Sequence, residues 1–158
     1  MRLTLDVAAT ILAACLAACS PPPPPPAAEK TKVDPVTEEW YGQAVNDLAG
    51  INRAAEKLFA AAKVDDAGSL VSKGQEVEKR LLAAPRPTLA AMEASSDLDD
   101  LYGRILMANH NVGWARLVYQ KNMVRWTNWK PESPDTERRK KQARAGLAEC
   151  DRQLGLGK

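Results

Sequence analysis

The sequence predicts an all-α fold, an antiparallel, up-down-up-down bundle of about four helices. Three observations carry this prediction. Apolar residues recur three and four positions apart over long stretches, which is the period of one helix face. No stretch alternates apolar and polar residues as a half-buried strand does. Capping residues followed by proline, and proline or glycine just past the apolar runs, mark where helices begin and end. The bundle is expected over residues 34–155, with two segments of different character ahead of it, residues 1–18 and 19–33.

The first segment reads as an export signal. Arg2 gives it a positive start, and Val7 to Ala18 is apolar except for Thr10. That run is about 12 residues long, within the range of a secretory signal. A helix needs about 20 residues to span a bilayer core, so this one is too short to stay as a transmembrane span. The run ends in Leu16-Ala17-Ala18-Cys19. These four residues resemble the lipobox of bacterial lipoproteins, with leucine three positions before a cysteine and two small residues between. The resemblance implies cleavage before Cys19, a diacylglyceryl group on its sulfur, and acylation (palmitate or a similar chain) of the freed amine. One acyl chain binds a membrane marginally, whereas two or more hold it stably. Leu12-Ala13-Ala14-Cys15 is an overlapping match. Cleavage there would leave only Val7 to Ile11 as the apolar run, so Cys19 is preferred. By resemblance to enteric lipoproteins, Ser20 implies export to the outer membrane, facing the periplasm.

The second segment is a tether. Pro21 to Pro26 is an unbroken run of prolines. Such a run is an extended polyproline II helix rising about 3.1 Å per residue, a semi-rigid spacer. Ala27 to Val33 is small or polar.

Four helices are expected after it. Asp34 caps the first, and Pro35 suits its first position, where the missing N–H costs nothing. Its stripe runs Val36, Trp40, Ala44, Leu48, Ile51, Ala55, Leu58 and Ala62. A second helix starts near Asp65 or Asp66 and runs to Ala84, ahead of Pro85 and Pro87, which cannot continue it. Thr88 to Ala94 is expected as a short separate helical piece. The third helix is placed from Ser96, with Asp99 completing an approximate capping box, to Lys130-Pro131. Its stripe is Leu98, Leu101, Ile105, Ala108, Val112, Ala115, Tyr119 and Trp126. Tyr102, Leu106, Met107, Trp114, Leu117 and Met123 widen it, so this helix should touch two or three neighbours. The fourth opens at Ser133-Pro134, buries Ala143, Leu147, Cys150 and Leu154, and stops at Gly155.

Composition narrows the function. The net charge of +2 gives no reason to expect nucleic acid as a partner. Residues 19–100 carry a net −5 and residues 101–158 a net +7, so acidic early helices can face basic late ones. Once the signal is removed and Cys19 lipidated, only Cys150 remains, at the spacing of a buried stripe. One histidine, His110, without a neighbouring cysteine does not make a zinc cage. No nucleophile–base pattern and no phosphate-cradling glycine loop is present. The expectation is therefore a non-enzymatic protein without cofactor or metal, held on the membrane through its N-terminal diacylglyceryl cysteine, with an envelope protein or peptidoglycan as partner.

The candidate surface is the junction of the third and fourth helices. Tyr119, Lys121, Arg125, Trp126, Asn128, Trp129 and Lys130 lead into Arg138, Arg139, Lys140 and Lys141. Aromatic plates with cations and amides suit glycans, lipid headgroups or a protein hot spot. In a four-helix bundle this junction lies opposite the tethered start. The bland reading is that Trp126 caps the core beside Phe59 and the basic run is a solvated face. An alternative function is a periplasmic small-ligand or haem carrier with its site inside the bundle, using His110 and Met92 as axial ligands.

Overall fold

A computed structural model describes residues 33–156. The segment expected to be a signal, Cys19 and the expected tether through residue 32 lie outside the described residues. Among the described residues the fold is all-helical and has no strand. A short 3-10 turn at Pro35–Thr37 leads into α1 (Glu39–Ala60), followed by α2 (Val64–Leu82), α3 (Leu89–Ala108), α4 (Val112–Asn128) and α5 (Pro134–Gln153).

The caps reflect local chemistry. Asp34 Oδ1 accepts from the Val36 N–H at 3.2 Å, as expected, although α1 proper begins only at Glu39. Ser133 accepts from the Thr136 N–H, and the Thr136 hydroxyl accepts from the Ser133 N–H, a reciprocal cap ahead of Pro134.

Two expectations about helix boundaries are corrected. The first is that Ser96 and Asp99 do not start a helix. Thr88 does, its Oγ1 accepting from the Ala91 N–H at 3.2 Å, so the piece expected at Thr88 to Ala94 is the first part of α3. Ser96 and Asp99 are buried in mid-helix, where tertiary partners rather than orphan N–H groups take up their oxygens.

The second is that the expected third helix is two. Asn109-His110-Asn111 reverses the chain between α3 and α4. The Asn111 N–H donates to the Leu106 carbonyl at 2.8 Å and the His110 N–H to that of Met107 at 3.1 Å, with His110 left-handed at φ 59°. This is the glycine-type C-cap built without glycine. The apolar rhythm keeps phase through the turn although the two halves bury against different partners, Leu98, Leu101 and Ile105 against α1 and α2, and Ala115 and Tyr119 against Leu106 of α3 and Cys150 of α5.

Five helices therefore replace four. α1 pairs with α2 and α4 with α5, while α3 lies between the two hairpins and packs on α1, α2 and α4. One apolar cluster joins α1, α2 and α3 through Leu48, Val71, Leu81, Leu98 and Leu101. Each of these five side chains is at most 1% exposed, and each such burial contributes about 1.5–3 kcal/mol. A smaller cluster joins α3, α4 and α5 through Leu106, Ala115, Tyr119 and Cys150.

The extra reversal changes which turns share an end. The Tyr41 hydroxyl near the start of α1 donates to the Leu81 carbonyl and accepts from the Thr88 N–H. Arg139 of α5 bonds the Glu93 carbonyl at 3.3 Å and pairs with Asp97, both in the first half of α3. The start of α1, the α2–α3 turn and the α4–α5 turn thus sit together. The opposite end holds the α1–α2 turn, the α3–α4 turn and the end of α5, where Cys150 Sγ lies 3.4 Å from Met107 Sδ. The Trp126–Arg139 junction is therefore at the same end as residue 33, not opposite it.

Candidate functional site

The expected surface residues are not one surface. Tyr119, Trp126 and Arg139 are buried, and the Arg125 side chain is 7% exposed. Trp129 is half-buried, while Lys130 and Arg138 are exposed. Trp126 Nε1–H donates to Ser96 Oγ at 2.7 Å. Its ring meets Trp129 edge-on at 6.2 Å, with the Arg139 guanidinium 6.0 Å away. Phe59 is not part of this group; it packs under the Arg104 guanidinium at 5.4 Å. Lys130 pairs with Glu132 and Arg138 with Asp135. Burial of Trp126 and its hydrogen bond make it a core residue of this end, and Tyr119, Arg125 and Arg139 are internal with it, while Lys121, Asn128, Lys130, Arg138 and Lys141 stay exposed.

Two charged arrangements appear that sequence reading missed. The first bridges α2, α3 and α4. Arg125 contacts Asp99 at 2.8 Å and Glu78 at 3.0 Å, and Lys121 contacts Asp99 at 2.6 Å and Glu78 at 3.6 Å. Burial, with the Asp99 charge adding to it, pushes the Glu78 carboxyl above its ordinary range against the pull of Lys121 and Arg125. A signal for it existed in the sequence. Glu78 falls in the slot between Gly74 and Leu81 on the buried stripe of α2, where a charge needs a partner.

The second is a polar groove of about 510 Å³ between α1, α3 and α5. Asn52 and Glu56 line it from α1, Asp97, Asp100 and Arg104 from α3, and Arg138 and Gln142 from α5, with Tyr119 and Gly146 at its base. Arg104 lies between Glu56 and Asp100, the latter at 3.1 Å. Burial raises the Asp100 carboxyl despite Arg104. Burial, and then the Asp100 charge, pushes the Tyr119 hydroxyl well above the ordinary phenol range. Asn52 Oδ1 is buried without a hydrogen-bond partner, an acceptor a ligand donor would satisfy.

The floor of the groove depends on two glycines. The Tyr119 ring of α4 is wedged between α3 and α5. A Cβ on Gly103 would lie 2.6 Å from the ring, and one on Gly146 2.5 Å. Only hydrogen at both positions lets the ring through.

The groove presents mainly hydrogen-bonding groups. Its cations already face carboxylates, which leaves hydrogen bonding as its main offer. No group of three metal-binding side chains occurs among the described residues. His110 is exposed in the α3–α4 turn, and Met92 lies near the start of α3. Eighteen positions at about 1.5 Å each hold them roughly 25 Å apart, so they are not brought together as axial ligands. Comparison of the chain with protein-family models, with curated proteins and with solved structures finds no match.

Proposed function

We propose that this chain is a lipid-anchored lipoprotein of the bacterial cell envelope, a helical binding module that performs no covalent chemistry. The observation that carries the reading is Leu16-Ala17-Ala18-Cys19 at the end of an apolar run and directly ahead of six prolines and a folded domain. A thioether-linked diacylglyceryl group and an acylated amine at Cys19 hold the chain on the membrane. Ser20 favours the outer membrane, with the domain in the periplasm.

The partner is an envelope protein or peptidoglycan, and the groove between α1, α3 and α5 is its receptor. The unsatisfied Asn52 acceptor and the amide of Gln142 suit a partner rich in peptide groups. The paired charges of Arg104, Glu56 and Asp100 disfavour a purely anionic one.

Mass spectrometry of the mature N-terminus tests the anchor. A diacylglyceryl Cys19 is expected, and Cys19→Ser should block processing and lipid labelling. A Cys19→Ser protein that is cut normally and stays on the membrane ends the proposal. For the groove, full-length Asn52→Leu/Gln142→Leu protein should lose capture of peptidoglycan or of its envelope partner. Capture by a folded double variant moves the binding site elsewhere.

A further inference from the structure

The outer face of α4 is built like an interface. Its inner stripe, Ala115, Tyr119, Asn122 and Trp126, is buried against α3 and α5. Its outer stripe is Trp114, Leu117, Lys121, Val124 and Asn128, spaced 3, 4, 3 and 4. That is the heptad seam of a coiled coil, with single polar residues of the kind that set register. Trp114 is 66% exposed, Leu117 52% and Val124 46%, and no described helix covers them.

Charge decides what can cover this face. α4 has no acidic residue, yet none of its cations is unpaired. Arg116 is held by Asp151 at 2.6 Å, and Lys121 and Arg125 by Asp99 and Glu78. A strongly acidic or basic partner gains little here, and a copy of the same face meets little repulsion.

We propose that a second copy of this chain docks on the outer face of α4, antiparallel about a two-fold axis. In that arrangement positions of one kind in the heptad face those of the other. Trp114 opposes Val124 of the second copy, and Leu117 opposes the aliphatic stem of Lys121, whose ammonium stays with Asp99. Each layer then repeats with the copies exchanged, as an isologous contact requires. The stripe is roughly 21 Å long at about 1.5 Å per residue. One helix face of that length covers less than the ~800 Å² per partner of a stable interface, so the dimer is weak and concentration-dependent.

The test uses the full chain in mild detergent. Sedimentation should show a monomer–dimer equilibrium in the range of tens to hundreds of micromolar, as expected of a small contact. Leu117→Glu and Trp114→Glu should each weaken it on the order of tenfold or more, with unchanged helix content. A Trp114→Cys/Val124→Cys chain should cross-link on oxidation far faster than either single variant. A monomer at all concentrations, a dimer indifferent to both glutamates, or equal cross-linking by single and double variants overturns the proposal. So does a stripe variant that loses a different co-purifying protein, or vesicle binding, while the chain stays monomeric. Sedimentation does not involve Cys19, and the cross-linking comparison is repeated in a Cys19→Ser background, so both stand or fall apart from the anchor.

Discussion

Arg125 of α4 lies 2.8 Å from Asp99 of α3, with the two side chains 7% and 2% exposed. Each member also has a second partner, Glu78 for Arg125 and Lys121 for Asp99. Asp99→Ala is therefore expected to destabilise the domain by about 1–3 kcal/mol, the cost of a lost buried hydrogen-bonding partner rather than of a bare charge. Arg125→Met combined with Asp99→Leu should cost far less than the two single changes together. Urea denaturation of the four species checks this. Additive losses would mean the pair is not the unit described.

Glu78 in the same network makes stability depend on pH. Burial raises its carboxyl above the ordinary range, so the folded state holds this proton more tightly than the unfolded chain. Its contribution is therefore complete below the ordinary glutamate range and is lost as pH rises through the raised value. The melting temperature of the natural protein minus that of Glu78→Gln should accordingly increase as pH falls from neutral into mild acid. A difference that is flat or shrinks on acidification contradicts the assignment.

Tyr119 sets a steric limit on two helices. Alanine normally improves a helix interior over glycine by about 1 kcal/mol. Here Gly103→Ala and Gly146→Ala should each destabilise by about 1–3 kcal/mol through overpacking. The ring cannot retreat from one added methyl without approaching the other helix. In a Tyr119→Leu background the penalty should fall away, which thermal or denaturant melts of the double variants will show.

His110 makes the opposite prediction. A non-glycine residue in the left-handed region is strained by roughly 1–2 kcal/mol, and His110 sits there, exposed, at φ 59°. His110→Gly is expected to raise stability by about 0.5–1 kcal/mol, the penalty relieved less the entropy glycine adds to the unfolded chain. Loss of stability would show that the imidazole is engaged at this turn.

Local chemistry explains which features were legible in the sequence. The caps at Asp34 and Ser133, the stop at Gly155 and the core of the α1 and α5 stripes, Ala44, Leu48, Ala55, Ala143 and Cys150, depend on residues a few positions apart, so reading along the chain finds them, although Ala62 and Leu154 at the stripe ends are exposed. The break at His110 was hidden because Ala108, Val112 and Ala115 continue the helical rhythm across it. The three residues that make the turn, Asn109, His110 and Asn111, carry no glycine or proline. Ser96 and Asp99 misled for a related reason. They look like a capping box, but Trp126 and Arg125, more than twenty positions away, take up their oxygens.

The binding surfaces divide in the same way. Which residues are aromatic or basic between 119 and 141 is plain from the sequence. Whether they face a partner depends on how two helices lie across α3, which turned Tyr119, Trp126, Arg125 and Arg139 inward and left Lys121, Lys130, Arg138 and Lys141 outside.

By itself the sequence determined the helical class and most helix ends, because each is written in neighbouring residues; the apolar run ending in Leu16-Ala17-Ala18-Cys19 and the six prolines that follow Ser20 are local in the same way. Only the tertiary structure decided the number of helices, the end at which the α4–α5 turn lies, the charge bridge from Glu78 through Asp99 to Arg125, and the groove floored by Tyr119. Those depend on which faces meet across the core, where the energy of one side chain depends on residues far away in the chain.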